Sequence, residues 1–131
     1  MIVLDTHVIL WWLREPSKLT LKATKEIQYA EKNENIFISS ICAWEIALLV
    51  KKGKLNMRIA VEEWISELAR NTAVNFIPVD NEIAIKSVNL TDFTNKDPAD
   101  RIIVATALNL GARLITSDRR ILKYKGVQAV W

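Results

Sequence analysis

The chain is short of the residues on which several common chemistries depend. Among its 131 residues it has one cysteine, one histidine, three glycines and three prolines. The lone Cys42 cannot close an internal disulfide, and its apolar neighbours predict a buried free thiol. One Cys and one His are too few for a structural zinc site within the chain. No GxGxxG follows the first apolar run and no GxxxxGKS/T occurs, so nucleotide cradles of those kinds have no support. A GxSxG elbow is also missing. Continuous apolar runs fall far short of the ~20 residues a membrane span needs. The opening MIVLDTHVILWWL is broken by Asp5 and His7 and has neither a basic leader nor a small-residue cleavage site. It predicts a cytoplasmic protein with no membrane partner.

What remains is core material. Half of the residues are apolar, and with so little Gly and Pro the composition predicts one folded domain over residues 1–131. The net charge of +3 leans only weakly toward a polyanionic partner. MIVLD is a continuous apolar run of the sort buried on both faces of a sheet. NIFIS (35–39), VNFIPV (74–79), RLITS (113–117) and the final VQAVW read as further strands. Helical text lies between them: HVILWWLRE stopped by Pro16, residues 20–32 capped by Thr20, and SICAWEIALLVKKGKL closed by Gly53. Residues 59–70, 80–90, a helix ending at Gly111 and DRRILKY complete the pattern. Such alternation predicts an α/β fold with a parallel sheet, helices on both faces, and a ligand site beyond the carboxyl ends of the strands.

Four carboxylates stand where that rule places the chemistry. Asp5 closes the first strand and Asp118 closes RLITS. Either could instead cap the helix that follows, with Thr6 competing with Asp5. Glu45 is the only charged residue between Ser40 and Val50, on a predicted buried stripe with Ile41, Trp44 and Leu48. A buried carboxylate costs several kcal/mol, on the order given for desolvated ions, unless it is paired or metal-bound. In NKDPADRIIVATAL, Asp97 is a good N-cap and Pro98 a good first helical residue, which frees Asp100 to face the crevice. Four acids directed at one crevice repel each other unless a cation is present, and oxygen-only ligands suit Mg²⁺ or Mn²⁺. Metal-assisted phosphodiester hydrolysis is the reaction class that follows. An aspartyl-phosphate phosphatase would carry a second Asp two residues after its nucleophile, where this chain has His7.

MIVLDTHVILWWL, SSICAWEIALLVKKGKL, KDPADRIIVATAL and LITSDRRILKYKGVQAVW resemble, in order and spacing, the PIN-domain toxins of VapBC-type toxin–antitoxin systems. The likeness is to the branch with a DTH start, an AWEIA helix and a DPxDR helix. It implies a PIN-like three-layer α/β/α sandwich around a mostly parallel sheet, and a Mg²⁺- or Mn²⁺-dependent endoribonuclease. It further implies a homodimer and a cognate small VapB-like antitoxin. Asp5, Glu45 and Asp100 match the family's metal-binding acids and Asp118 the fourth. Thr116 and Ser117 match the polar pair before that last Asp, and they, with Thr6, are expected to support the acids. Ala99 stands where this branch often has a large apolar residue, which is expected to widen the crevice rim.

Of the basic residues, Arg119, Arg120, Lys123 and Lys125 follow Asp118 closely and are better placed than others to meet an RNA backbone, with a solvated face the safer expectation. Arg101 has two open readings, an ion pair with an acid of the site or a phosphate contact. Lys51, Lys52 and Lys54 read as charges at a helix C-terminus. His7 is expected to be structural or solvent-facing. Of Trp11 and Trp12, one is expected in the core and the other at an interface. A PIN-like RNA-binding module without turnover and a metal-dependent phosphatase of small esters are the alternative functions.

Overall fold

The computed structural model describes residues 1–131. Five strands, β1 (Ile2–Leu4), β2 (Ile36–Ser39), β3 (Val74–Ile77), β4 (Arg113–Ile115) and β5 (Ala129–Val130), form one sheet. The helices are α1 (Thr6–Arg14), α2 (Leu21–Lys32), α3 (Ser40–Lys51), α4 (Val61–Ala69), α5 (Asn81–Val88), α6 (Pro98–Leu110) and α7 (Arg119–Leu122). A short 3-10 turn at Pro16–Lys18, which the sequence pattern did not suggest, follows α1.

The strand order is β3-β2-β1-β4-β5 and every pairing is parallel. From β1 the chain steps outward through β2 to β3, then returns past β1 to β4 and β5. The reversal at β1 opens a crevice beyond its carboxyl end, where ligands of open α/β sheets sit. The register Leu4↔Ile115 sets the residues after β1 and β4 side by side, and the Asp5 amide donates to the Ile115 carbonyl at 3.0 Å. Ile2, Val3 and Leu4 are buried, as a strand covered on both faces requires.

Local signals end the helices where expected. The Thr20 hydroxyl accepts from the Ala23 amide at the start of α2. Gly111, at φ 63, adopts the left-handed turn that closes α6, which a Cβ would strain. Ile103, Val104 and Ala107 of α6 are wholly buried, so the face shared with Asp100 does meet the sheet.

One expectation is corrected. The buried face of α3 is Cys42 and Ile46, not Ile41, Trp44, Glu45 and Leu48. Trp44 is 57% exposed, and the other three are half-buried. The helix is apolar on nearly every side, so periodicity could not rank its faces. Cys42 itself is buried as predicted, and burial pushes its thiol far above the usual value. Thiol reagents are therefore expected to label Cys42 only after unfolding, as labelling with and without denaturant would show.

Candidate functional site

Asp5 is the residue at which β1 passes into α1. It is 8% exposed, and its carboxylate accepts from the Thr6 amide at 2.8 Å and from the Thr116 hydroxyl at 2.6 Å. The same Thr116 hydroxyl accepts from the Asp118 amide at 3.0 Å, so one buried side chain fixes both strand-end acids. Thr6 turns its hydroxyl the other way and donates to Glu45 at 2.6 Å, joining α1 to α3. Ser117, in contrast to Thr116, makes no side-chain hydrogen bond.

Capping divides the two acids of α6 as the sequence suggested. The Asp97 side chain accepts from the Asp100 amide at 3.1 Å, and the Asp100 carboxylate is left for the crevice. There it accepts from the Asn95 amide group at 2.9 Å. Asn95, 4% exposed, also accepts from the Asp97 amide at 2.9 Å. The sequence reading missed this residue. Its signal was an Asn two places before a helix cap, which looks like ordinary turn chemistry.

Asp118 does cap α7, accepting from the Arg120 amide at 2.8 Å and the Ile121 amide at 3.4 Å. Its other oxygen meets the Arg120 guanidinium at 3.2 Å, and the same guanidinium reaches Asp100 at 3.5 Å. Contacts thus link the acids around one mouth: Glu45 to Asp5 through Thr6, Asp5 to Asp118 through Thr116, and Asp118 to Asp100 through Arg120.

Charge in this mouth is poorly compensated. Burial raises the Asp5 carboxyl above its ordinary value, against the lowering effect of its hydrogen bonds with Thr116 and Thr6. Burial lifts Glu45 to about 7, opposed by the Thr6 hydroxyl and reinforced by the charges of Asp5 and Asp100. Asp100 rises to about 6, again chiefly by burial, with Asn95 opposing and Asp5, Asp97 and Asp118 adding to the rise. At Asp118, burial raises the carboxyl, but the hydrogen bonds and charge of Arg120 together outweigh it and the net shift is downward.

The acids meet at one mouth without closing on one point: no three of the chain's Asp, Glu, His or Cys side chains converge closely enough to grip an ion as they stand. Each is drawn instead to a protein donor, Thr116, Thr6, Asn95 or Arg120. The donor set still fits a hard divalent cation. It is all oxygen, it carries more negative charge than its burial tolerates, and its one counter-charge is an exposed arginine.

The basic residues divide differently from the expectation. The Arg101 guanidinium, read from the sequence as an acid partner or a phosphate contact, is used within the fold. It donates to the carbonyls of Ser87 (2.8 Å), Phe93 (2.8 Å), Asn95 (2.9 Å) and Val88 (3.2 Å), clamping the loop before α6. Arg120 is paired with the acids, whereas Arg119 and Lys123 are exposed. His7 is exposed against Trp11, and Trp11 lies against Trp131. Trp11 and Trp12 are both half-buried, with Trp12 packed on the core. Ala99 is buried beside Pro98, Ile41, Trp44 and Leu48 in an apolar groove of about 410 Å³ that borders Glu45.

A parallel sheet with this strand order and an acidic mouth at its switch point is the arrangement of a PIN domain. Residues 2–127 match that family, and the chain belongs to it. It is 33% identical over 124 residues to Ribonuclease VapC22 of Mycobacterium tuberculosis, covering 95% of this chain and 92% of that protein. Its place within the family is with the VapC-type proteins. The fold agrees: VapBC2 of Rickettsia felis, solved bound to a promoter DNA fragment, superposes with a TM-score of 0.73 at 16% identity, over 99% of this chain and 98% of that one. FitAcB from Neisseria gonorrhoeae gives 0.70 at 21% identity, over 100% and 97%.

Proposed function

We propose that the chain is a Mg²⁺- or Mn²⁺-dependent endoribonuclease, a single PIN domain acting as the toxin of a type II toxin–antitoxin pair. The observation that carries this reading is the acid mouth at the end of β1, where burial holds Asp5, Glu45 and Asp100 above their ordinary values. Asp5, Glu45 and Asp100 would hold the ion, with Asp118 completing the set directly or through water. When bound, the ion supplies an activated water and neutralises charge gathering on the phosphate. The chain's own part is positional: Thr116 and Thr6 orient Asp5 and Glu45, and Asn95 orients Asp100. Hydrolysis would leave 5′-phosphate and 3′-hydroxyl ends. A small VapB-like antitoxin and a second copy of the chain are the proposed partners, and the apolar groove beside Glu45 offers the antitoxin a surface next to the acids. No helix is long and apolar enough to cross a membrane.

The test is incubation of the antitoxin-free chain with a mixed RNA pool, with and without Mg²⁺ or Mn²⁺. Discrete cuts that need the metal support the reading. Binding without cutting would turn it to an RNA-binding module, and phosphate release from a small chromogenic ester to a phosphatase.

Two further results are expected. Asn95→Ala removes a partner of Asp100 and should weaken Mn²⁺ binding by about 10–100-fold, measured by calorimetric titration. Stability should also follow pH in a defined direction. Glu45 ordinarily titrates at 4.5 but at about 7 in the fold, so between those values the native state holds a proton that the unfolded chain releases. Metal-free stability therefore falls as pH rises through that window. Added Mg²⁺ should restore it, and by more at about pH 8 than at about pH 5, where the acids are partly protonated. A melting temperature that ignored both pH and Mg²⁺ would count against the metal centre.

A further inference from the structure

The one arginine or lysine that forms an ion pair with the four acids is Arg120. A single nitrogen of its guanidinium, Nη2, stands 3.2 Å from Asp118 Oδ2 and 3.5 Å from Asp100 Oδ2, so carboxylates from two elements turn toward one positive charge. The chain's other ion pairs, Lys18 with Glu15 and Arg113 with Glu26, involve none of these acids. Local geometry puts the arginine there. Asp118 engages Oδ1 with the amides of Arg120 and Ile121, which caps α7 and leaves Oδ2 for a cation. The residue whose amide completes that cap also carries the guanidinium, so the cap itself sets the arginine at the mouth.

Its hold is weak. The Arg120 side chain is 63% exposed, against 15% for Asp100 and 24% for Asp118. An ion pair with so exposed a partner contributes little, because water solvates the charge when the pair opens. The guanidinium makes no hydrogen bond except to Asp118, whereas four carbonyls hold Arg101 in place. Mg²⁺ bonds carboxylate oxygens at ~2.0–2.1 Å, and the Asp100 and Asp118 oxygens that would serve it already face a cation. Like charges oppose joint occupancy of those oxygens. We propose that Arg120 competes with the divalent ion for Asp100 and Asp118, and so sets the metal concentration at which the centre fills. The proposal rests on the metal-dependent ribonuclease reading and adds a resident competitor to it. The rival is a purely structural arginine, whose loss would free two mutually repelling acids and weaken metal binding. The two differ in the sign of the effect.

The test is calorimetric titration of Mn²⁺ into the chain and its variants, with the Mn²⁺-dependent rise in melting temperature as a second readout. Thermal unfolding without metal confirms that each variant is folded. Arg120→Gln should bind Mn²⁺ about ten-fold tighter, the effect of removing one unit charge a few ångströms from a divalent ion in a largely aqueous setting. RNA cleavage by Arg120→Gln should reach half its maximum at correspondingly less Mn²⁺. Arg119→Gln, the same charge change on the exposed neighbour, should shift affinity by less than about two-fold at physiological salt. Asp118→Asn keeps the α7 cap but takes away the carboxylate to which the arginine donates. In that background the gain from Arg120→Gln should shrink to about two-fold. Unchanged or weaker Mn²⁺ binding in Arg120→Gln overturns the proposal in favour of the structural arginine. An equal gain in both backgrounds, or from Arg119→Gln, overturns it in favour of a general charge effect. In each of these cases cleavage that needs metal leaves the ribonuclease reading standing. If the original chain neither binds Mn²⁺ nor cleaves RNA, that reading falls and the competition with it.

Discussion

Asp5→Asn is expected to lower RNA cleavage by about a thousand-fold or more while leaving the fold intact. The carboxylate is buried at the end of a fully buried strand, and it accepts from the Thr6 amide and the Thr116 hydroxyl. An Asn of the same shape keeps an acceptor there, but it brings no negative charge for a cation. Removing that charge also removes a desolvation cost, because burial already disfavours the ionised form. The metal-free variant should therefore melt no lower than the parent at neutral pH, and it should lose most of the stabilisation that Mg²⁺ confers. Asp97→Asn is the matched control. Asn is as good an N-cap as Asp, so both activity and melting temperature should barely move. Cleavage surviving in Asp5→Asn would take Asp5 out of the centre.

Arg101→Met should show the largest effect on stability, roughly 3 kcal/mol, or a fall of about 10 °C in melting temperature. Four backbone carbonyls, on Ser87, Val88, Phe93 and Asn95, lose a charged donor at once. Hydrogen bonds to a charged group contribute ~1.5–3 kcal/mol each, but part of this loop reaches water, so the sum is discounted. Activity should fall further than stability alone explains. Arg101 holds the backbone of Asn95, and the Asn95 side chain holds Asp100. Arg101→Lys should not rescue it, because one ammonium cannot fork across four acceptors. An unchanged urea midpoint in Arg101→Met would reopen the residue as an RNA contact.

Arg101 also shows where the sequence stops being readable. Its charge suggested an acid of the site or a phosphate, but its partners are carbonyls, which every residue carries and no pattern marks. Asn95 was overlooked for a different reason: it looks like ordinary turn chemistry before a helix cap, and its bond to the Asp100 side chain five positions on, across the helix start, leaves no mark in the sequence. By contrast, the sheet was legible, because alternation of apolar runs with amphipathic helices has few parallel solutions. Caps at Thr20, Asp97 and Gly111 were legible because their chemistry is local. The four acids could be picked out from their positions at strand ends and helix starts. Their side-chain rotations could not, and it is those rotations that leave the carboxylates on Thr, Asn and Arg partners instead of around one point. In α3, apolar residues on nearly every side erased the signal that would have turned Cys42 and Ile46 inward and Trp44 outward.

The central position of β1 bears on how the protein is made. Its hydrogen-bonding neighbour β4 is translated more than a hundred residues later, and the bond between Asp5 and Thr116 spans 111 positions. Contacts at such separation form late, because a long loop must close before they stabilise anything. On the ribosome, Asp5 waits without Thr116, Asp118 or the strand that brings them, so a nascent or truncated chain that stops short of β4 has no assembled acid mouth. If the proposed toxin role holds, an unfinished copy would then be a harmless one, and the first complete centre would form only once the last strands had left the ribosome.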